Sequence, residues 1–197
     1  MADYRLRPAT GEDAAAIALI YNQGIEDRLA TLETELRTAD ERRQWLMARG
    51  PRHPVIVVEK TTEPGTTSNR PPTSQAGLAG PATTERATTN PPAVSTILAW
   101  GSLNPFSTRE AYRFVADFSV YVERGWRGKG VGRALLARLI ELGREHAYHK
   151  LVLSAFPFNK AGVALYETLG FRTVGIYREQ GLLDGQWVDT IIMEKLL

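Results

Sequence analysis

The chain has 197 residues, enough for one well-packed domain and short for two. Hydrophobic residues make up 43% and charged residues 23%, and the formal net charge is only +2, which excludes a strong overall field for nucleic acid. The chain has no cysteine, so disulfides, thiolate metal ligands and a cysteine nucleophile are excluded. There is no apolar signal-peptide core and no run near ~18 apolar residues. We therefore expect a cytoplasmic protein with no membrane or nucleic-acid partner.

The first half of the chain predicts strands and two capped helices. Apolar runs predict strands at residues 4–9, 55–60 and 96–103. Thr10 with Asp13, and Thr38 with Glu41, form two capping boxes, each of which predicts the start of a helix. Gly50 with the proline after it predicts the end of the second helix. The order so far is strand, helix, helix, strand, strand.

Residues 61–95 interrupt this pattern. They are dominated by Thr, Pro, Ala and Gly and contain no aromatic residue. Such a segment cannot bury enough apolar surface to offset the entropy of ordering it. We expect a flexible Thr/Pro-rich insertion at the tip of a hairpin. The alternative, a Pro-rich ligand for a partner domain, lacks a PxxP core flanked by charge.

The second half returns to regular patterns. In residues 113–123, Phe118 and its even-numbered neighbours lie on one face of a predicted strand, with Asp117 on the other. A helix is expected to about residue 146, and a shorter one at 160–170. Further strands are expected at residues 150–156, 171–179 and 185–196. The whole chain, residues 1–197, therefore predicts a single α+β or mixed α/β domain.

Residues 124–132, RGWRGKGVG, lie between a strand and a helix and contain four glycines. They do not fit the Walker A spacing, and Arg133 stands where a dinucleotide-binding fingerprint needs its last glycine. Arg127, Gly130 and Gly132 do fit the pattern [R/Q]xxGx[G/A]. A loop of that shape directs backbone N–H groups and a helix dipole at a pyrophosphate. The alternative is a glycine-rich turn with solvated arginines.

The segment VYVERGWRGKGVGRALL resembles the acetyl-CoA-binding segment of the GNAT superfamily of N-acetyltransferases. Within it, the chain is most similar to the phosphinothricin and arsinothricin acetyltransferases. Three more segments carry this resemblance, at residues 30–38, 154–171 and 178–197. The resemblance implies a GNAT-type domain, in which a mostly antiparallel sheet has a parallel pair splayed at the acetyl-CoA site.

The resemblance also implies a function. Acetyl would move from acetyl-CoA, with no metal, to the α-amino group of a small acidic amino-acid analogue. The candidates are phosphinothricin, methionine sulfoximine and arsinothricin, and acetylation would detoxify them. A homodimer is expected from the family. Two alternatives stay open: an acetyltransferase of another small amine, and a CoA-binding sensor without turnover.

The resemblance assigns contacts with acetyl-CoA to a loop, a strand and a short helix. The residues are Val120, Tyr121, Val122, Arg127, Gly128, Lys129, Gly130, Val131, Gly132, Arg133, Asn159, Lys160 and Tyr166. Loop N–H groups would bind the pyrophosphate, the strand would pair with the pantetheine arm, and the Val122 N–H would face the thioester oxygen. Asn159 is alternatively only a helix cap.

Two side chains are expected to move protons. Tyr166 stands where the superfamily often carries the acid that protonates the leaving thiolate, although the phosphinothricin type can have His there. Asp117 stands where that type carries Glu, and burial would raise its pKa to suit a base that acts directly or through water. The alternatives are a core Tyr and a solvent-facing Asp.

Substrate recognition is assigned to Glu33, within residues 30–38, and to two residues of a later loop. By the resemblance, Arg109 and Tyr112 lie in the substrate-facing loop, where an Arg fork would bind a carboxylate or phosphinate. Glu33 would hold the ammonium group. The alternative for each is an exposed loop residue. His146 and His149 lack the further ligands of a zinc site, and Trp45, Trp100 and Trp187 are expected in the core or an interface.

Overall fold

The structure is a computed structural model that describes residues 4–61 and 96–197. The predicted insertion therefore lies outside the described residues, apart from Thr61. The strands are β1 Tyr4–Pro8, β2 Val55–Lys60, β3 Ile97–Pro105, β4 Val115–Val122, β5 Lys150–Ala155, β6 Arg172–Leu183 and β7 Gln186–Leu196. The helices are α1 Ala14–Glu26, α2 Ala39–Met47, α3 Val131–Glu145 and α4 Lys160–Thr168.

The seven strands form one sheet in the order β1-β2-β3-β4-β5-β7-β6. All neighbouring pairs are antiparallel except β4 and β5, which are parallel. This parallel pairing is short, since it extends only from Val115 opposite Lys150 to Asp117 opposite Val152. The predicted mixed α/β domain with one splayed parallel pair is therefore confirmed.

Apolar side chains cover both faces of the sheet. On one face, α3 packs Leu135, Leu136 and Leu139 onto a core that includes Phe118 and Leu151. On the other face, α1 packs its own buried side chains, with Trp100 among their partners. This division follows the period-two alternation of β2 and β3; in β2, for example, Ile56 belongs to the first core and Val57 to the second.

The order and type of the helices and strands agree with the sequence prediction. Both capping boxes are present, and Thr38 accepts a hydrogen bond from the Glu41 N–H at 3.2 Å. The first box precedes a short 3₁₀ turn rather than α1 directly. Strand β6 extends four residues beyond its predicted end at 179, past a bulge that the alternating pattern does not reveal. No helix among the described residues is long and apolar enough to cross a membrane.

Candidate active site

The site begins where β4 and β5 separate. The Glu123 N–H donates to the Leu98 carbonyl at 2.9 Å, which fixes the hydrogen-bonding alternation between β3 and β4. In an antiparallel ladder, successive residues direct their N–H groups to opposite edges. The N–H groups of Val120 and Val122 therefore face the gap that β5 leaves beyond Asp117. This strand edge can bind an extended ligand arm through its backbone.

The glycine loop follows directly. A 3₁₀ turn at Arg124–Trp126 leads to Gly128 at φ +73° and Gly130 at φ +83°, and Gly130 is the N-cap of α3. Both conformations lie in the left-handed region that side chains disfavour, so these positions need glycine for the backbone itself. The first N–H groups of α3 have no partner within the helix, and the helix dipole adds positive charge there. The loop is thus built to receive an anion.

A cleft of about 330 Å³ runs along the strand edge and the loop. We call it the glycine cleft. Its lining residues are Gly24, Leu29, Ala30, Val120, Tyr121, Val122, Arg127, Gly128, Gly130, Gly132, Arg133, Asn159, Ala161, Gly162, Leu165 and Tyr166. Most residues predicted to contact acetyl-CoA therefore line one cleft. Three of them, Lys129, Val131 and Lys160, are not among its lining residues.

The Arg127 side chain makes contacts that the sequence does not reveal. Its Nη1 lies 2.6 Å from a carboxylate oxygen of Asp27, and its Nε donates to the Val122 carbonyl at 3.1 Å. Arg124 binds the same carboxylate at 2.7 Å, and hydrogen bonds from Arg124 and Arg127 hold the pKa of Asp27 below its ordinary value. The Arg127 charge is thus paired. The cluster connects the residue after α1 to the glycine loop.

A second, smaller cavity of about 190 Å³ adjoins the glycine cleft. We call it the carboxylate chamber. Its lining residues are Leu29, Ala30, Asp117, Phe118, Ser119, Val120, Tyr121, Leu153, Ser154, Ala155, Asn159 and Tyr166. Six of these also line the glycine cleft, and Tyr166 is one of them. The two cavities therefore share a wall where β4 and β5 diverge.

Asp117 and Tyr166 have shifted acidities in this chamber. Burial raises the pKa of Asp117 to about 6, against a smaller lowering by a hydrogen bond from the Phe118 N–H. Burial, together with the negative charge of Asp117, raises the pKa of Tyr166 to about 12. Near neutral pH the carboxyl group is therefore mostly ionised and the phenol fully protonated. One is able to accept a proton and the other to donate one.

Asn159 lines the carboxylate chamber and makes two hydrogen bonds there. Its Oδ1 accepts the Gly162 N–H at 3.0 Å and so caps α4, while its Nδ2 donates to the Leu29 carbonyl at 3.1 Å. The segment between α1 and α2 is fastened on its other side by Arg28, whose guanidinium binds the Asp184 carboxylate at 3.0 Å. The hydrogen bond of Asn159 and the ion pair of Arg28 position Leu29 and Ala30, which line both the glycine cleft and the carboxylate chamber.

The predicted substrate-binding residues lie elsewhere in the structure. Glu33 forms an ion pair with Arg37, and its N–H donates to the Thr31 hydroxyl at 3.1 Å. Arg109 is exposed, and Tyr112 packs against Phe106 with ring centroids 5.3 Å apart. None of the three lines the glycine cleft or the carboxylate chamber.

Two other groups of predicted residues can be placed. Trp100 is fully buried and Trp45 packs on it, with ring centroids 5.7 Å apart, whereas Trp187 is 62% exposed and is not a core residue. Within residues 4–61 and 96–197, no three His, Cys, Asp or Glu side chains are grouped to hold a metal.

Ser119 and Ser154, two hydroxyl-bearing residues that line the carboxylate chamber, were not among the predicted site residues. A signal for both was available. Ser119 has the same parity as Asp117 in β4, and Ser154 follows the core residue Leu153, so the alternation puts all three polar groups on one face. What the alternation could not show is that the two strands diverge around them.

Comparison with known proteins shows which protein family has this fold and site. The sequence model of the Acetyltransferase (GNAT) family matches residues 87–171. The crystal structure of a ribosomal-protein-alanine N-acetyltransferase from Brucella melitensis is 31% identical, with a TM-score of 0.76 over 98% of this chain and 99% of that one. The chain belongs to the GNAT acetyltransferase family, and is an acyltransferase by class.

Three further similarities narrow the class. Phosphinothricin N-acetyltransferase of Streptomyces coelicolor is 28% identical over 100% of this chain and 98% of its own length. The L-methionine sulfoximine/L-methionine sulfone acetyltransferase of Salmonella typhimurium is 26% identical over 96% and 92%. The structure of yncA from Salmonella typhimurium, with its cofactor acetyl-CoA, is 26% identical, with a TM-score of 0.79 over 99% and 94%. The predicted resemblance to phosphinothricin-type acetyltransferases is confirmed.

Proposed function

We propose that this protein transfers acetyl from acetyl-CoA to the α-amino group of a small acidic amino-acid analogue. The candidates are phosphinothricin and methionine sulfoximine, with arsinothricin as a third, and acetylation of such compounds would detoxify them. The observation that carries the proposal is the wall shared by the two cavities. Asp117 and Tyr166 line one chamber, and that chamber adjoins a cleft that fits the donor.

The residues of the glycine cleft fit acetyl-CoA. The N–H groups at the start of α3 suit the pyrophosphate, since Gly128 and Gly130 turn the backbone so that amides rather than side chains meet the anion. The Val120 and Val122 N–H groups suit the carbonyl oxygens of the pantetheine arm and the thioester. A Cβ on Gly132 would lie 3.3 Å from a Val122 methyl, so this glycine lets α3 pack closely against β4.

Asp117 and Tyr166 divide the proton transfers. The reaction forms a C–N bond and breaks the C–S bond of the thioester. The ammonium nitrogen loses one proton before it attacks and a second as the amide forms, the sulfur gains one proton, and one proton leaves to solvent. Asp117 accepts the first proton, directly or through a water. Burial is the larger cause of the raised Tyr166 pKa, and neutralising Asp117 removes the smaller one, so Tyr166 becomes a stronger acid for the proton that goes to the sulfur. The second nitrogen proton then restores the phenol. Burial also raises the proton affinity of the departing thiolate.

The residues around the carboxylate chamber would bind the acceptor amino acid. Leu29 and Ala30 lie between the two cavities, held by Asn159 and Arg28. The roles of Glu33, Arg109 and Tyr112 stay predictions, because those side chains line neither cavity.

Steady-state kinetics of CoA release tests the proposed function. We expect turnover with phosphinothricin and methionine sulfoximine, and much less with a polyamine or with a peptide that begins with alanine. Release with those other amines alone would favour an acetyltransferase of different specificity. Binding of acetyl-CoA without release for any amine would favour a CoA-binding sensor.

The protein is also proposed to form a homodimer. Strand β6 is an edge of the sheet, and Leu182 and Trp187, a cross-strand pair in β6 and β7, are 53% and 62% exposed. Large apolar side chains grouped on an edge hairpin are typical of a protein interface. Light scattering should give about twice the 21.8 kDa chain mass. A monomer at micromolar concentration would contradict this proposal.

A further inference from the structure

A third cavity of about 190 Å³ continues from the carboxylate chamber through Ala30, Ser154 and Ala155. We call it the hydroxyl chamber, because three of its lining residues carry hydroxyl groups: Thr31, Ser154 and Thr190. It shares Ser154 and Ala155 with the carboxylate chamber but not with the glycine cleft, whereas Ala30 lines all three cavities. A molecule whose amine lies at Asp117 would therefore extend its other end toward these hydroxyls.

The alternation of the strands explains why these hydroxyls meet. Ser154 follows Leu153 and Thr190 precedes Ile191, and both apolar residues belong to the core packed under α3. Ser154 and Thr190 therefore lie on the opposite face, the face of Asp117. The last pairing of β5 with β7 joins Ala155 to Ile191, so Thr190 stands just beyond the point where the two strands separate.

Thr190 carries a buried hydroxyl group in this chamber that a bound ligand could pair with. Its residue is 3% exposed, and its Oγ1 has no hydrogen-bond partner among the described residues. Burying an unpartnered hydroxyl costs free energy, and native structures keep few such groups. The Thr31 hydroxyl, in contrast, already accepts the Glu33 N–H at 3.1 Å.

We propose that the hydroxyl chamber receives the distal end of the acceptor amino acid, and that Thr190 selects acceptors whose distal group carries a hydrogen-bond-accepting oxygen. Thr190 Oγ1 donates its proton to that oxygen, and Ser154 lies on the same wall to assist. Sulfone, sulfoximine and phosphinate oxygens share this chemistry, whereas an aliphatic side chain of similar length lacks it. The inference rests on the proposed acetyltransferase function, which it makes more specific.

The test combines two substrates with two variants. L-Methionine sulfone has distal oxygens, and L-norleucine is of similar length without them. We expect Thr190→Val, which removes the hydroxyl and keeps the shape, to lower kcat/KM for the sulfone about tenfold and to change the value for norleucine less than twofold. Thr190→Ser, which keeps the hydroxyl, should stay within about threefold of the wild type on both. The inhibition constant of norleucine against the sulfone supplies its affinity if its turnover is slow.

The results distinguish a hydrogen bond from Thr190 to the substrate from a purely structural role of this residue. Equal losses on both substrates would show that Thr190 only shapes the site, and an unchanged value for the sulfone would show that no contact forms; either overturns the inference. The melting temperature of Thr190→Val should not fall, because no partner of the hydroxyl is lost. If the wild type releases no CoA with any amine, the proposed function fails instead, and the substrate comparison does not arise.

Discussion

Replacing Asp117 with asparagine is expected to lower kcat by a factor of about 10² to 10³, the usual loss when a positioned general base is removed. The KM for acetyl-CoA should change less than about twofold, because Asp117 lines the carboxylate chamber and not the glycine cleft. Asparagine keeps the size of the side chain but cannot accept a proton. Steady-state kinetics with each substrate varied in turn measures both quantities. Unchanged turnover would remove Asp117 from the mechanism.

The pH profile gives this prediction a second readout. Because burial raises the pKa of Asp117 to about 6, kcat/KM for the acceptor should fall on the acid side of about pH 6 in the wild type. The ionisation of the free acceptor amine lies well above this range and affects the alkaline part of the profile instead. In Asp117→Asn the limb near pH 6 should disappear. Tyr166→Phe should keep that limb and lower the rate across it.

In Asp117→Asn, the free energy of unfolding should rise at neutral pH although kcat falls. The pKa of Asp117 is about 6 when folded, above about 3.9 in an unfolded chain, so the folded state holds this proton more tightly. The contribution of Asp117 to stability is therefore fully present below about pH 4 and is lost as the pH rises through 6. Asp117→Asn should raise the free energy of unfolding by about 3 kcal/mol at pH 7.5 and change it by well under about 1 kcal/mol at pH 4. Urea titrations at the two pH values test this.

Asp13 offers a matched control. It is 4% exposed and lies outside both cavities, and although burial opposes it, hydrogen bonds from Arg7 and Thr10 hold its pKa below the ordinary value. Asp13→Asn should therefore lose stability at pH 7.5, with the loss shrinking as the pH falls toward the folded pKa, and should keep kcat. A gain in stability for both variants would show that the Asp117 effect has nothing to do with its raised pKa.

The strands and helices could be predicted because their signals are local. The capping box of Thr38 with Glu41 and the alternation through Phe118 each depend on residues a few positions apart, and the structure confirms both. The glycine loop was predictable for the same reason, since a left-handed backbone at Gly128 and Gly130 requires glycine whatever surrounds it.

Contacts between distant parts of the chain were not predictable in this way. The glycine-loop motif does not show that the Arg127 side chain pairs with Asp27, 100 residues away. Asn159 reaches the Leu29 carbonyl across 130 residues, and Thr190 lines the same cavity as Ser154 because β7 lies beside β5 in the sheet. Such partners depend on strand order and loop placement, which short motifs do not encode.

The glycine loop leads to the second large effect: Gly130→Val should raise the KM for acetyl-CoA about thirtyfold or more. Gly130 has φ +83° and caps α3, and a β-branched residue strains that conformation by about 1–3 kcal/mol. Relaxing the strain turns the loop amides away from the direction that suits a pyrophosphate, and losing about 2 kcal/mol of binding corresponds to roughly thirtyfold. Calorimetric titration with CoA should show the same factor in Kd. The value of kcat at saturating acetyl-CoA should fall much less.

Gly185→Val separates the loss of a binding site from the cost of strain. Gly185 has φ +79° in the turn between β6 and β7, and at both glycines a Cβ would meet nothing within 4 Å, so a Cβ brings similar backbone strain at either position. Both variants should lose similar stability. Only Gly130→Val should lose affinity for CoA, because Gly185 does not line the glycine cleft. Equal rises in KM for the two variants would mean that general destabilisation is the cause. A normal KM in Gly130→Val would mean that the loop does not bind the pyrophosphate.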